Sequence, residues 1–213
     1  MNIGWDMICS AITAAAAIAA LFVSVAQMRL SNKQQLLDRR LRLWIKAHGL
    51  MELCKSNRPS LEKKACEPVF DNDIVFQWMT NNSLLCDIGP AIAHVLEQDW
   101  QRRLLAKLEE LKEAAFEAEL VFKGRPAEAL SSFIADYASL LMSMCQYQIM
   151  LENLYETSEK FHYDLNQAIS AVGEERQRDE LYKARDKLLN SFDGLTKDAA
   201  ESIVAQCKLP WLS

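Results

Sequence analysis

The sequence predicts an all-α protein in which an N-terminal transmembrane helix continues into a cytoplasmic antiparallel helical bundle. The 213 residues include only six Gly and five Pro, and the good helix formers Ala, Leu, Glu, Lys and Gln are abundant. The alternation of apolar and polar residues that is typical of strands occurs nowhere at useful length. An uncharged run near the N-terminus is followed by a segment crowded with arginine.

The uncharged run predicts a membrane anchor. No residue from Met7 to Ala26 carries a charge, and at about 1.5 Å per residue a helix of this length spans roughly 30 Å, the thickness of a bilayer's hydrocarbon. We therefore expect a transmembrane segment in residues 1–28 and a helical domain in residues 29–213. A cleaved signal peptide ending at Ser24-Val25-Ala26 and a buried core or peripheral helix stay open as alternatives. The only charged side chain ahead of the run is Asp6, which counts against a signal peptide because such peptides begin with basic residues.

Basic residues after the run predict its orientation. Lys and Arg close to a span bias that side towards the cytoplasm. We therefore expect a single-pass protein of the bacterial inner membrane, with the N-terminus outside and the C-terminal domain cytoplasmic. Five of the cations form a predicted membrane flank that meets anionic lipid head groups: Arg29, Lys33, Arg39, Arg40 and Arg42.

Small residues at four-residue spacing predict self-association of the anchor. Such spacing lines one helix face with small side chains and lets a second helix approach closely. Two faces qualify, one formed by Ala11, Ala15 and Ala19, the other by Ala16, Ala20 and Ser24. We expect a homo-oligomer, although a span this rich in alanine also produces the spacing by chance.

The first helix is predicted to continue from the anchor to about Lys55. One apolar stripe follows it at alternating steps of four and three residues, formed by Leu37, Leu41, Trp44, His48 and Met51. The stretch Asn57-Arg58-Pro59-Ser60 is expected to end it. Short helices are predicted near Leu61–Cys66 and Asp71–Thr80, and Asn81-Asn82-Ser83 indicates a turn.

Proline and glycine delimit the predicted helices of the bundle. One helix should begin at Pro90 and end before Gly124, and a second should start at Pro126 and fold back as an antiparallel hairpin that reaches about Ala171. Residues 133–151 are apolar on nearly all sides. A central core helix is favoured over a second span because Asp136, Gln146 and Gln148 interrupt them. Two further helices are expected, at about Glu174–Phe192 and Thr196–Cys207.

Charge and cysteine content exclude some kinds of partner and site. The net charge of −5 argues against nucleic acid as a bulk ligand, because phosphate recognition needs a surplus of Lys and Arg. The six cysteines are scattered and never form a C-x-x-C pair, which favours free, buried thiols in a reducing compartment. They are Cys9, Cys54, Cys66, Cys86, Cys145 and Cys207.

Few residues offer catalytic chemistry, since the chain has only three histidines. The run from Arg42 to His48 resembles the R-x(4–6)-H pattern of HEPN ribonucleases, helical domains in which a dimer brings two such pairs together to cleave RNA. Six residues of helix, however, turn these side chains about 120° apart, which favours a buried or membrane-proximal structural histidine. Glu159 and His162 have the one-turn spacing of a bundle metal site, but no second copy occurs, and His94 with Glu97 has the reverse order. We predict no enzyme, no metal and no cofactor.

The stretch LLDRRLRLWIKAHGLMELC resembles a group of uncharacterised bacterial single-span proteins. Their members have an N-terminal span, then an Asp-Arg-Arg-like step followed by an aromatic residue, which here are residues 37–40 and Trp44. SLLCDIGPAIAHVLEQDW and the closing CKLPWLS are similar to later segments of the group, whereas residues 126–171 have no counterpart. The resemblance implies no activity, although small proteins of this build are suspected of roles in defence or stress at the inner membrane. We expect a membrane-anchored helical protein that acts by self-assembly or by binding a partner protein, as an effector or accessory in antiphage defence. The alternative hypothesis is a membrane-tethered HEPN-like ribonuclease using Arg42 and His48.

Overall fold

A computed structural model describes residues 3–62, 72–161, 164–195 and 197–208, and within these ranges the fold is all-α, as predicted. The described residues form seven α-helices and one 3₁₀ helix. These are α1 Ile3–Leu61, α2 Asn72–Met79, the 3₁₀ helix Cys86–His94, α3 Gln98–Val121, α4 Arg125–Phe161, α5 Leu165–Val172, α6 Glu174–Gly194 and α7 Lys197–Gln206.

Helix α4 is the centre of the bundle and contacts every other helix of the described chain. Most of its apolar residues between positions 133 and 150 are buried, which confirms the prediction of a central core helix. The largest of them, Phe133, Tyr137 and Tyr147, have no exposed surface. The Tyr137 hydroxyl donates a hydrogen bond to the Met79 carbonyl and so joins α4 to the end of α2.

Helices α3 and α4 form the predicted antiparallel hairpin. Gly124 lies between them with a φ of +77°, a left-handed conformation that glycine adopts without steric strain. Leu104, Leu108 and Leu111 of α3 recur at steps of four and three residues and are buried against the core. The close joint therefore sets the direction of the chain through the middle of the bundle.

Helix α1 has two parts that differ in burial. Every described side chain from Thr13 to Leu36 is exposed, whereas Leu43, Ala47, Leu50 and Cys54 are buried in the bundle. Of the predicted stripe, Leu41 and His48 are exposed, whereas Trp44 and Met51 are partly buried against the core. The face that the bundle covers is the one through Leu43 and Ala47, about half a turn away.

Three predicted boundaries also differ from the structure. Helix α1 does not end at Asn57–Ser60: it continues through Pro59 to Leu61, because a proline removes one backbone donor while neighbouring bonds such as Glu62 N–H to Arg58 O (2.9 Å) still form. Pro90 lies inside the 3₁₀ helix, not at the start of α3. Burial of Ile88 and Ile92 holds this separate short helix on the core.

The helix predicted to reach Ala171 is divided into α4 and α5. Asp164 starts α5 with a capping box, in which its carboxylate accepts from Gln167 N–H (2.8 Å) and the Gln167 side chain accepts from Asp164 N–H (3.2 Å). The spacing of these two residues is the sequence signal for a helix start. Gly173 ends α5 at a φ of +75°, and α6 and α7 follow close to their predicted bounds. The predicted helix near Leu61–Cys66 lies mostly outside the described residues.

Candidate membrane anchor, stem and junction

The anchor is the exposed N-terminal part of α1. Among the described residues, α1 is the one helix long and apolar enough to cross a membrane, and the apolar window that meets this criterion contains no buried residue. Ile18, Leu21 and Phe22 are all more than half exposed. This exposure argues against a core helix, since a core helix buries its large apolar side chains.

The small-residue faces lie within this exposed segment. Ala15, Ala19, Ala16, Ala20 and Ser24 are exposed, and the side chain of Ala11 lies outside the described part. The Ser24 hydroxyl donates to the Ala20 carbonyl (2.8 Å). Its polar group is therefore satisfied within the helix, as an apolar environment requires.

Residues 27–39, which we call the stem, separate the anchor from the bundle. They rise about 20 Å along the helix axis and leave Arg29, Lys33 and Arg39 exposed. Arg29 and Lys33 lie within about 10 Å of Ala26 along the axis, close enough to reach a head-group layer. Arg39 lies about 20 Å away, beyond the screening distance of about 8–10 Å at physiological salt.

Arg40, predicted as a lipid-facing flank residue, instead binds the bundle. Its Nε donates to the Val121 carbonyl (2.6 Å) and its Nη1 to the Gln206 carbonyl (3.0 Å), so it binds the C-terminal ends of both α3 and α7. The guanidinium also lies over the Phe122 ring at 5.9 Å. Cations favour helix C-termini because the last carbonyls carry partial negative charge and lack intrahelical donors. Arg40 thus fixes the point at which α1 enters the bundle.

Gln206 completes this junction. Its side-chain oxygen accepts from Lys123 N–H (2.9 Å) and its side-chain nitrogen donates to the Lys123 carbonyl (3.2 Å). The end of α7 is therefore fastened to the segment between α3 and α4. No spacing in the sequence pairs residue 40 with residues 121 and 206, so sequence reasoning missed this role.

At the far end of α1, Arg58 forms a second fixed point. It makes a bidentate ion pair with Asp193 of α6 (2.6 and 3.1 Å) and also bonds Glu62 (2.7 Å). The Arg58 guanidinium lowers the pKa of Asp193 through these hydrogen bonds. Between the two ends, Lys46 bonds Glu110 of α3 (2.7 Å) and lowers the pKa of that carboxyl.

Two polar side chains are fully buried in the bundle. Asn72 donates to the Met144 carbonyl (2.7 Å) and so ties α2 to α4. Glu174, at the start of α6, accepts from the Tyr147 hydroxyl (2.7 Å) and lies 3.5 Å from the Arg178 guanidinium. Burial, and then the bond to Glu174, raise the pKa of Tyr147. Both groups join helices, and neither lies beside a nucleophile that it could activate.

The predicted Arg42–His48 pair does not come together. Arg42 is exposed and paired with Asp38 (3.2 Å). The His48 ring lies beside Trp44, with 5.8 Å between ring centroids. His48 is exposed, so of the two expectations, a buried or a membrane-proximal structural histidine, the buried one is wrong. The two side chains therefore project from different faces of α1.

Of the two other histidine motifs, only that of His94 and Glu97 lies wholly within the described residues. His94 Nδ1 lies 2.8 Å from Glu97 Oε1, and the His94 ring stacks on Trp100. Glu159 is exposed, and His162 lies outside the described residues. No three His, Cys, Asp or Glu side chains of the described chain are grouped to hold a metal ion.

The described cysteines are free thiols. Cys54, Cys145 and Cys207 are buried, as predicted, whereas Cys86 is exposed. Cys9 and Cys66 lie outside the described side chains. Burial raises the pKa of Cys54 and of Cys145 to about 12, so both stay protonated and unreactive near neutral pH.

An apolar cavity of about 220 Å³ lies between the 3₁₀ helix, α3 and α4. Its walls include Val95, Trp100, Leu104, Met142 and Ile149, with Cys145 beside them. Gln101 and Gln146 are its polar residues, and no charged side chain lines it. The lining offers apolar contact, and its thiol, Cys145, has a pKa raised by burial to about 12.

Comparison with known proteins adds no family to this description. No protein-family model, curated protein or solved structure matches the chain.

Proposed function

We propose that this protein is a single-pass protein of the bacterial inner membrane that acts by self-assembly or by binding a partner protein. The observation that carries the proposal is the continuity of α1, one 59-residue helix that is exposed in its first half and buries one face in the bundle from Leu43 onward. A helix fixed at Arg40 and Arg58 transmits its position in the bilayer directly to the bundle. The bundle is therefore held about 20 Å from the membrane surface by the stem.

The proposed orientation places the N-terminus outside and the bundle in the cytoplasm. It is supported by the cations of the stem, which follow the anchor within the distance at which basic residues bias topology. The free thiols of the bundle agree with a reducing compartment.

Reporter fusions at the C-terminus test the orientation. We expect a fluorescent protein fused after Ser213 to be active and a phosphatase fused at the same site, which needs export, to be inactive. As a control, Arg29, Lys33 and Arg39 changed together to Gln should lower the fraction with this orientation, since they are exposed and their loss leaves the bundle intact. An active phosphatase on the wild-type chain, or a mature protein shortened at its N-terminus, would contradict the proposal.

Self-assembly is proposed through the small-residue faces of the anchor. Close helix approach in lipid needs small side chains at the contact, and the described side chains of both faces are exposed. The mass of the purified protein in detergent measures assembly. Substitution by Leu of Ala15 and Ala19 together, or of Ala16 and Ala20 together, should lower the oligomer fraction if the substituted face forms the contact. A wild-type protein that is monomeric at all concentrations would contradict self-assembly.

A non-enzymatic role is proposed because the only catalytic pair suggested by the sequence, Arg42 and His48, does not converge. His48→Ala should therefore leave the oligomer fraction unchanged. We expect no RNA cleavage by the wild-type protein that this substitution could abolish. The role in antiphage defence stays a prediction from the resemblance alone.

A further inference from the structure

The stem carries an apolar seam that the bundle leaves uncovered. Its members recur at alternating steps of four and three residues, the spacing of a coiled-coil contact. We define the seam as Val23, Gln27, Leu30, Gln34, Leu37 and Leu41. Val23 is 55 %, Leu30 41 % and Leu41 38 % exposed. Leu37 is half-buried, and the two glutamines are exposed. Exposed apolar side chains that recur along one helix face mark an interaction surface.

The seam points away from the bundle. Leu43 and Ala47 define the face of α1 that packs on the core, and Leu41 lies about 160° around the helix from Leu43. A second helix can therefore lie along the seam without displacing the bundle. The next residue of the same face towards the C-terminus is Trp44, which is half-buried against the core, so the seam ends at Leu41.

The same spacing extends into the anchor. Ala20 and Ala16 precede Val23 by three and seven residues and continue the seam without a break. Side chains along it are small in the lipid segment, where close backbone approach drives helix association. They are large in the stem, where burial of apolar area from water drives it. Of the two small-residue faces, only that of Ala16 and Ala20 is in register with the stem.

We propose that the seam binds the seam of a second copy of this chain, forming a parallel, twofold-symmetric coiled coil that runs from the anchor through the stem. The inference rests on the proposed function, because anchors inserted with one orientation in one bilayer must be parallel. In a parallel pair each seam residue meets its own copy. Gln27 and Gln34 suit this arrangement, since an amide both donates and accepts hydrogen bonds and can pair with an identical amide.

Charge complementarity beside the seam favours a second copy as the occupant. Lys33 and Asp38 flank the seam on opposite sides, five residues apart. In a parallel coiled coil, flanking residues at this separation on two helices form interhelical ion pairs. Twofold symmetry makes the contact twice, Lys33 of each copy meeting Asp38 of the other. No ion pair involves Lys33 in the part of the chain that the structure describes, whereas Asp38 pairs with Arg42 on its own helix.

Cysteine cross-linking of the full chain in membranes tests the seam. Leu30→Cys and Leu37→Cys place thiols where two copies meet, and Asn32→Cys is the matched control because residue 32 lies on the opposite face of the same stem. We expect mild oxidation to give a covalent dimer from both seam variants several-fold faster than from Asn32→Cys, above the wild-type background. Equal rates at the three positions, or faster cross-linking at residue 32, would overturn the proposal.

Charge reversal tests the register independently. Lys33→Asp or Asp38→Lys in the Leu30→Cys background should each slow dimer formation several-fold, and the double reversal should restore most of the rate. Because all of these residues are exposed, an unchanged circular dichroism spectrum checks that the bundle stays folded. Failure of the double reversal to restore the rate would refute the Lys33–Asp38 pairing and with it the parallel register.

The outcomes separate this inference from the proposed function. If the wild-type protein is oligomeric by mass but the seam gives no selective cross-link, assembly uses another surface and only the seam is refuted. If the chain is monomeric by mass and no position cross-links, self-assembly itself is refuted. Leu substitutions at Ala16 and Ala20 should weaken the dimer more than the same substitutions at Ala15 and Ala19, and the reverse order contradicts the seam.

Discussion

At the scale of single residues, two neighbouring arginines at the end of the stem have unrelated roles. Arg39 is exposed and has no contact that fixes it among the described residues, whereas Arg40 hydrogen-bonds the last carbonyls of α3 and α7. A charged donor on partly buried carbonyls contributes more than a neutral one. The Asp38-Arg39-Arg40 step therefore combines an exposed cation and a structural one.

Arg40→Ala is expected to destabilise the bundle by about 2–3 kcal/mol, because hydrogen bonds to charged groups contribute roughly 1.5–3 kcal/mol and two carbonyls lose their donor. The measurement is the free energy of unfolding in detergent, followed by tryptophan fluorescence. Arg39→Ala is the matched control and should change stability by less than about 0.5 kcal/mol. Equal effects of the two substitutions would remove the structural role of Arg40.

Thiol reactivity reports burial at the same scale. Cys54 is fully buried with its pKa raised to about 12, whereas Cys86 is exposed. At pH 8 a maleimide should modify Cys86 in the folded protein and Cys54 only after denaturation, as read by mass spectrometry of peptides. Rapid labelling of Cys54 in the folded protein would contradict this packing.

The raised pKa of Cys54 also predicts a pH dependence of stability. The folded state holds the Cys54 proton above about pH 9, where the unfolded chain releases it. The free energy of unfolding should therefore fall as pH rises from about 9 towards 12.

At the scale of elements, ion pairs fix α1 to its neighbours at separate levels. Lys46 meets α3 and Arg58 meets α6, about 18 Å apart along α1. Because α1 is a single helix, these contacts and Arg40 set its angle against the bundle. Apolar contact through Leu43, Ala47 and Leu50 provides most of the free energy that holds α1 on the bundle, since exposed ion pairs contribute little on their own.

The Arg58–Asp193 pair should make stability sensitive to acid. Arg58 lowers the pKa of Asp193 in the folded state, so the pair stabilises the fold above the unfolded pKa, and its contribution is lost as pH falls through the folded pKa. We expect Asp193→Asn to be less stable than wild type at pH 7 and the difference to vanish in strong acid. Denaturant unfolding from pH 7 down to pH 2 measures it. The control is Asp186→Asn, which removes an exposed carboxylate of α6 that pairs, among the described residues, with its neighbour Arg185. If the difference in stability between Asp193→Asn and wild type did not change with pH, the assignment would be contradicted.

At the scale of the whole molecule, one helix joins the candidate anchor to the bundle, and its two parts differ in burial. The first buried side chain of α1 is Leu43, and none of the described side chains before it is buried. We therefore expect the stability of the bundle to be independent of residues 1–28, whose apolar run is long enough to cross a bilayer.

A chain of residues 29–213 should fold and remain in the soluble fraction. Its unfolding free energy should match that of the full chain within about 0.5 kcal/mol, because the deletion removes no packed side chain. Circular dichroism and fractionation of cells provide the measurements. Loss of cooperative unfolding would show that the anchor contributes to the core, against the division at residue 28.

Local sequence determined the fold class, most helix bounds and the anchor. Helix propensity, the run without charges and the glycines at 124 and 173 act through near neighbours, and the pattern of one segment suffices to read them. The hairpin of α3 and α4 followed for the same reason, since a short joint leaves two helices no other direction. Even the break before α5 was encoded locally, in Asp164 and Gln167.

Only the tertiary structure decided which face of α1 the bundle covers. The stripe through Leu37 and Leu41 and the stripe through Leu43 and Ala47 are both apolar, and periodicity alone cannot rank them. The choice depends on contacts between residues far apart in the chain, such as Arg40 with Val121 and Gln206. Those contacts leave one apolar stripe buried and the other exposed on the stem, because a helix that packs against a bundle on one side has its opposite face free.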